Sequence, residues 1–120
     1  MRITGDGWEM VNGDCIEVLS NIPDDHFGYS IFSPPFADLY VYSDSPNDLG
    51  NCGSEGEFFD HLAFLTPELF RTLMPGRNLS FHCMNLPKTK VRDGVIGLRD
   101  FRGSLIRAFE KAGFIYHSEV

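Results

Sequence analysis

Tyr29-Ser30-Ile31-Phe32-Ser33-Pro34-Pro35-Phe36 decides how this chain folds: an apolar run with strand character stops at a pair of prolines, and a polar, turn-rich stretch follows. Consecutive prolines fit neither a helix interior nor a sheet ladder, and the residue before a proline is driven to extended geometry. The sequence therefore predicts a strand over 27–32 that ends in a stiff elbow. Polar elbows at the carboxyl ends of strands are where open α/β sheets build their sites. Ser33 supplies a polar group there, and Phe36 adds a flat apolar face suited to stacking on a planar substrate such as a nucleobase.

On the amino-terminal side, Trp8-Glu9-Met10-Val11 alternates as a short strand ending in a turn at Asn12-Gly13-Asp14, and Cys15 to Ile22 reads as a helix stopped by Pro23. Asp14 then sits at a strand tip. Strand, helix and strand in this order predict a parallel crossover joining 8–11 to 27–32. On the carboxyl side, residues 37–56 carry Asp, Ser, Asn, Gly and Pro with little periodicity and read as a long loop. A loop of that length in a compact domain is either functional, here a lid or substrate-contacting segment with Leu39, Tyr40 and Tyr42 at its start, or a tolerated insertion.

Further along, Phe58, Leu62, Leu65, Leu69 and Leu73 recur at three- and four-residue intervals, predicting an amphipathic helix over 57–74. Pro67 is expected to kink it or to start a second segment at Thr66, and Pro75-Gly76 to end it. Asn78 to Cys83 reads as a third strand and 85–98 as loop. Phe101 to Ala112 reads as a last helix with Leu105, Ile106 and Phe109 inward, stopped by Gly113, after which 114–120 begins a strand. There is no internal repeat and no low-complexity tract.

With 120 residues, 42% of them hydrophobic, the chain supports one modest core and is not a disordered polymer. No run of about 18 apolar residues occurs, and the start lacks the layout of a signal peptide, so a cytoplasmic protein with no membrane partner is expected. Cys15, Cys52 and Cys83 are odd in number and widely spaced, which fits neither a disulfide framework nor a Cys-x-x-Cys metal site. His26, His61, His82 and His117 are too scattered to imply a metal.

Net charge is −7, against a simple nucleic-acid-coating protein, but the charge is polarised. Residues 1–70 hold one basic and thirteen acidic residues (1 − 13 = −12), and residues 71–120 hold nine basic and four acidic (9 − 4 = +5). The second half offers candidate phosphate contacts in Lys88, Lys90, Arg92, Arg99 and Arg102, with Tyr40 as a stacking candidate in the loop. The plainer reading is that Arg99, Arg102, Arg107 and Lys111 solvate an outer helix face.

Ser33-Pro34-Pro35-Phe36 resembles the [Ser/Asp/Asn]-Pro-Pro-[Tyr/Phe] motif of DNA methyltransferases that modify exocyclic amino groups, the N4 of cytosine or the N6 of adenine. Asn12-Gly13-Asp14-Cys15-Ile16-Glu17-Val18-Leu19 is similar to that family's Gly-Asp-Cys element, and Leu73 to Phe81 to its helix end, Pro-Gly turn and next strand. The three landmarks lie in family order between residue 8 and about residue 84. Each alone is common punctuation, and together they are specific.

The resemblance implies a Rossmann-like α/β fold dependent on S-adenosylmethionine and acting on double-stranded DNA, of a bacterial or phage-encoded type. Residues 1–120 are expected to form a single, incomplete methylase domain, because the family's Phe-x-Gly-x-Gly cofactor loop is not in this sequence. In one permuted class that loop follows the catalytic motif, so an amino-terminal portion of such a domain is expected. By the same resemblance Ser33 and the Pro34 carbonyl accept the amino hydrogens, Pro35 stiffens the elbow, Phe36 stacks on a flipped base, and Asp14 contacts the cofactor's adenine amino group. Asp14 as an ordinary turn former is the alternative, and Ser33 as a hydrolase nucleophile lacks a Gly-x-Ser-x-Gly setting. Ser in the first motif position tilts the expectation toward cytosine N4. Two other functions stay open: a non-catalytic nucleic-acid-binding or regulatory remnant, and a methyltransferase of protein glutamine side chains.

Overall fold

The computed structural model describes residues 1–35 and 55–120. Among these, β1 (Arg2–Gly5) and β2 (Trp8–Val11) form an antiparallel hairpin, and α1 (Cys15–Ser20) leads to β3 (Phe27–Phe32). Then α2 (Glu55–Thr72) returns the chain to β4 (Leu73–Phe81), and β5 (Leu86–Lys88), α3 (Lys90–Asp93) and β6 (Gly97–Arg99) make a small excursion before α4 (Phe101–Lys111).

The parallel crossover exists, but it joins different strands from those expected. Among the described residues, β3 pairs with β4, across α2, and β2 pairs with β1 alone. The reason is local: a two-residue turn at Asp6-Gly7, with Gly7 at φ +78, folds Arg2–Gly5 back on Trp8–Val11 before β3 is made. On one face of the hairpin Trp8 lies over Gly5, where a Cβ would come within 2.2 Å of the indole.

α2 runs unbroken from Glu55 to Thr72 through Pro67, with no second segment at Thr66. Its predicted inner stripe is inside: Phe58, Leu62, Leu65 and Leu69 are buried, as is Leu73 just beyond it. The helix begins at Glu55, inside the expected 37–56 loop, and stops at Thr72, two residues short of the expected 74, while Pro75-Gly76 instead forms a bulge within β4. Phe27 opposes Leu73 and Tyr29 opposes Asn78, so two steps along β3 span five along β4, with Gly76 at φ +76 inside the detour. The last carbonyls of α2, on Arg71 and Thr72, accept the N–H groups of Asp25 and His26 at 2.9 and 2.8 Å, which ties the connector before β3 to the helix end.

The core is the seam between α2, α4 and one face of the two-stranded parallel sheet. Phe58, Leu62, Leu65, Leu69, Leu86, Phe101, Leu105 and Phe109 are its buried members, with Phe32, Leu79 and Phe81 of the sheet packed against them. Phe81 stacks on Phe109 with ring centroids 4.7 Å apart. Leu105 and Phe109 point inward as expected, while Ile106 is half-buried. Two other expectations fail: residues 86–99 contain the β5–β6 hairpin and a helical turn, and 114–120 forms no strand. In 114–120 the aromatic Phe114 serves as a cap on the core, against Phe109 and Phe70, in place of a ladder partner.

Candidate active site

Because side chains alternate across a strand, the face of β3 that turns Phe32 into the core turns Ile31 and Tyr29 away from it. The parallel register sets Ile31 beside Ser80 and Phe32 beside Phe81, so Phe81 points in with Phe32, and the next residues, Ser33 and His82, come out together. The two strand ends are held by His82 N–H donating to the Phe32 carbonyl at 3.1 Å. Ser33 Oγ and His82 Nδ1 are then 3.4 Å apart, both on exposed residues. Pro34 is buried and Pro35 half-buried, so the elbow is anchored from behind while Ser33 faces outward. Phe36 and Tyr40 lie outside the described residues, as does the whole 37–54 stretch.

Beside His82 the chain continues into Asn85, whose Oδ1 accepts the Arg102 backbone N–H at 3.0 Å at the start of α4. Asp100 caps the same helix through its bond from Gly103 N–H, also 3.0 Å. The helix that closes the core is thereby fastened to the segment after β4 that carries His82 and Asn85. Farther down the open face, the Tyr29 hydroxyl donates to Ser80 Oγ at 2.8 Å.

Asp14 does what a turn former does: it is the N-cap of α1, with Oδ1 accepting the Ile16 N–H at 2.9 Å. That bond engages one carboxylate oxygen and leaves Oδ2 for an outside donor. The adjoining groove, of about 460 Å³, is lined by Arg2, Asn12, Gly13, Asp14, Glu17, Val18, Asn21 and Ile22. A carboxylate edge beside the apolar side chains of Val18 and Ile22 suits a planar ring that carries an amino group. At Cys15, next in the chain and an exposed residue, partial burial pushes the thiol above its ordinary value and the Asp14 carboxylate pushes it further. Burial raises the Cys83 thiol as well.

Of the basic candidates, three already have acidic partners within the chain. Arg99 pairs with Glu55 at 3.3 Å, Arg92 with Asp93 at 3.3 Å, and Arg102 with Glu119 and the Tyr116 hydroxyl. Arg92 also donates to the Pro87 carbonyl at 3.0 Å, bracing the β5–β6 excursion, whose apolar Val91, Ile96 and Leu98 are exposed. Lys88 is half-buried and Lys90 exposed on the same excursion. No group of three or more His, Cys, Asp or Glu that could hold a metal occurs among the described residues, and none of their helices is long and apolar enough to cross a membrane.

The sequence places His82, like Asn85, at the end of the third strand where it could face the same cleft, with a structural histidine as the plainer reading, and it does not single out Arg71. His82 lay at a strand end in the sequence, but its neighbour depends on the register of a strand 49 positions away. Arg71 looked like one more cation, yet it joins α1 to α2 through the carbonyls of Leu19 and Ile22 and the carboxylates of Asp24 and Glu68.

Against known proteins, no family model matches the chain. It is 28% identical over 115 residues to the type II beta methyltransferase M.BslI of Bacillus sp. (strain NEB-606), a match covering 92% of this chain and 12% of that protein. Its fold is that of TTHA0409 from Thermus thermophilus, described as a DNA modification methylase. The selenomethionine derivative superposes with a TM-score of 0.65 at 22% identity over 86% of this chain and 37% of the other. The complex of TTHA0409 with S-adenosyl-L-methionine gives 0.66 at 25% identity, covering 86% and 38%. The architecture is therefore the mixed α/β fold of part of such a methylase, and the chain spans well under half the length of these relatives.

Proposed function

We propose that this chain is the catalytic-elbow part of an S-adenosylmethionine-dependent DNA methyltransferase that modifies an exocyclic amino group, cytosine N4 ahead of adenine N6. The observation that carries the reading is the placement of Ser33: exposed at the carboxyl end of a parallel strand, on a proline pair whose first member is buried. The likeness to M.BslI and to the TTHA0409 methylase supports the same reading.

An exocyclic amino nitrogen is a poor nucleophile because its lone pair is delocalised into the ring. A protein assists by accepting hydrogen bonds from the amino hydrogens as the nitrogen pyramidalises, and by fixing the line of approach. Ser33 Oγ accepts one hydrogen and the Pro34 carbonyl the other, with Pro35 keeping the elbow stiff, and Phe36 stacks on the base once it is flipped from the duplex. Asp14, whose Oδ1 caps α1, would hold the amino group of the cofactor's adenine through its other carboxylate oxygen, in the groove lined by Val18 and Ile22. When bound, S-adenosylmethionine supplies an electrophilic methyl group on sulfonium. Lys88, Lys90, Arg92, Arg99 and Arg102, with Tyr40, are proposed to face the DNA; the ion pairs of Arg92, Arg99 and Arg102 are then exchanged for phosphates as salt is lowered.

Calorimetry with S-adenosylmethionine on residues 1–120 and on a chain extended along the reading frame to include a Phe-x-Gly-x-Gly cofactor loop, followed by methyl transfer by the extended chain from labelled cofactor to duplexes offering only cytosine or only adenine targets, tests this reading. Binding and transfer to cytosine N4 by the extended chain are expected. Binding without transfer to any duplex would leave only the non-catalytic remnant, and absence of binding by either chain would remove the methyltransferase reading.

A further inference from the structure

We infer that His82 is a positioning residue for Ser33: its Nδ1 takes the Ser33 hydroxyl proton in a hydrogen bond, so that the lone pairs of Ser33 Oγ face the substrate's amino group. The inference rests on Ser33 acting as the acceptor proposed above.

A serine hydroxyl has one proton and two lone pairs on a freely turning bond. An amino group donates, so Ser33 helps it only when its own proton is parked elsewhere. With that proton aimed at the substrate, the hydroxyl would oppose the amino hydrogens. Among the described residues, the ring nitrogen in hydrogen-bond reach of Ser33 Oγ is His82 Nδ1, at 3.4 Å. The distance is long for a bond of this type, as such contacts are before a substrate closes on them. Neighbouring polar side chains are engaged otherwise: Asn85 at the start of α4, and Ser80 with Tyr29.

The placement is not a chance meeting of two flexible side chains. His82 N–H bonds to the Phe32 carbonyl, and Phe32 and Phe81, the residues immediately before the pair, are register partners packed inward on Phe109. The backbone on both sides of the contact is thus fixed by the core. An imidazole protonated on Nε2 presents Nδ1 as an acceptor, and that tautomer is the one required.

Long-range proton–nitrogen correlation spectra of the His82 ring test this without any turnover. In the full chain at neutral pH, His82 is expected to carry its proton on Nε2, with Nδ1 displaced from the resonance of an unbonded ring nitrogen. Ser33→Ala is expected to return Nδ1 to the unbonded position, and Ser33→Thr to retain the displacement. A proton on Nδ1 in the wild type, or a Nδ1 resonance that Ser33→Ala leaves unmoved, overturns the inference.

Single-turnover methyl transfer supplies the second readout. His82→Phe is expected to slow the step by roughly 10- to 100-fold with DNA affinity unchanged, and His82→Asn, whose Oδ1 falls near the Nδ1 position, to restore most of it. Equal rates for His82→Phe and wild type would overturn the positioning role. If the wild type transfers no methyl group to any duplex, the proposed function fails, while the spectra still decide whether the two side chains are bonded.

Discussion

Arg71 Nη2 donates to the Leu19 carbonyl at 2.9 Å, joining the end of α2 to the end of α1 across 52 positions of sequence. The same guanidinium reaches the Ile22 carbonyl at 2.8 Å and the carboxylates of Asp24 and Glu68, which hold it firmly protonated, Glu68 foremost. Helix α1 has only six residues and none fully buried; its carboxyl end is held by this clamp together with the Asn21 and Ile22 N–H groups on the Val18 and Leu19 carbonyls, and its amino end is capped by Asp14. Since Asp14 is also the candidate cofactor residue, the clamp steadies the site from the far end of the helix.

Replacing Arg71 by Met keeps the apolar stem and removes every donor. The amides of α1 are expected to lose hydrogen-exchange protection while those of α4 keep theirs, with a lower Tm overall. Uniform protection across both helices would show that the clamp is not what holds α1.

Leu62 is fully buried at the centre of α2. Leu62→Ala is expected to cost about 3 kcal/mol by urea unfolding, from lost burial and the cavity left behind, with an unchanged slope against denaturant. A loss below about 1 kcal/mol would mean that the α2–α4 seam closes around the gap.

Gly103 shows two effects of similar size and opposite sign. A Cβ there would come within 2.3 Å of Asp100 Oδ2, displacing the carboxylate that caps α4 at a cost of about 1 kcal/mol, while alanine for glycine in a helix gains about 1 kcal/mol. Gly103→Ala alone is therefore expected to be nearly neutral. In an Asp100→Ala background, where the cap is already gone, the same change is expected to stabilise by about 1 kcal/mol. A double-mutant cycle read by thermal unfolding checks both values.

The Cys15 thiol is raised by burial first and by the Asp14 carboxylate second. A raised pKa means less thiolate at any given pH, so alkylation of Cys15 in a Cys52→Ser background is expected to follow a profile shifted above that of a free thiol. Asp14→Asn keeps the N-cap and removes the charge, so it is expected to move the profile back toward lower pH without abolishing the shift. Mass-spectrometric alkylation rates across the alkaline range decide this, and a profile that Asp14→Asn leaves in place would contradict the electrostatic contribution.

Periodicity carries local information, and it was reliable where local geometry rules. The spacing of Phe58, Leu62, Leu65 and Leu69 fixed which side of α2 faces inward, because a helix repeats every 3.6 residues whatever it packs on. Pro34 and Pro35 ended β3 where expected, since a proline pair has no ladder hydrogen to give. Three errors share a different origin. The partner of Trp8–Val11, the bulge at Pro75-Gly76 and the β5–β6 hairpin all depend on which segments meet, and no window of neighbouring residues contains that information.

Most of the elements, the inner faces of the two long helices and the elbow at Ser33-Pro34-Pro35 were legible in the residues alone, because propensity, helical period and proline stereochemistry act within a few positions. Packing in three dimensions was needed to pair β3 with β4, and hence to stand Ser33 beside His82 and close Arg71 on Leu19. Strand register and side-chain hydrogen bonds between segments about 50 residues apart are set by how the core packs, and a one-residue slip in that register would turn His82 to the opposite face of the sheet.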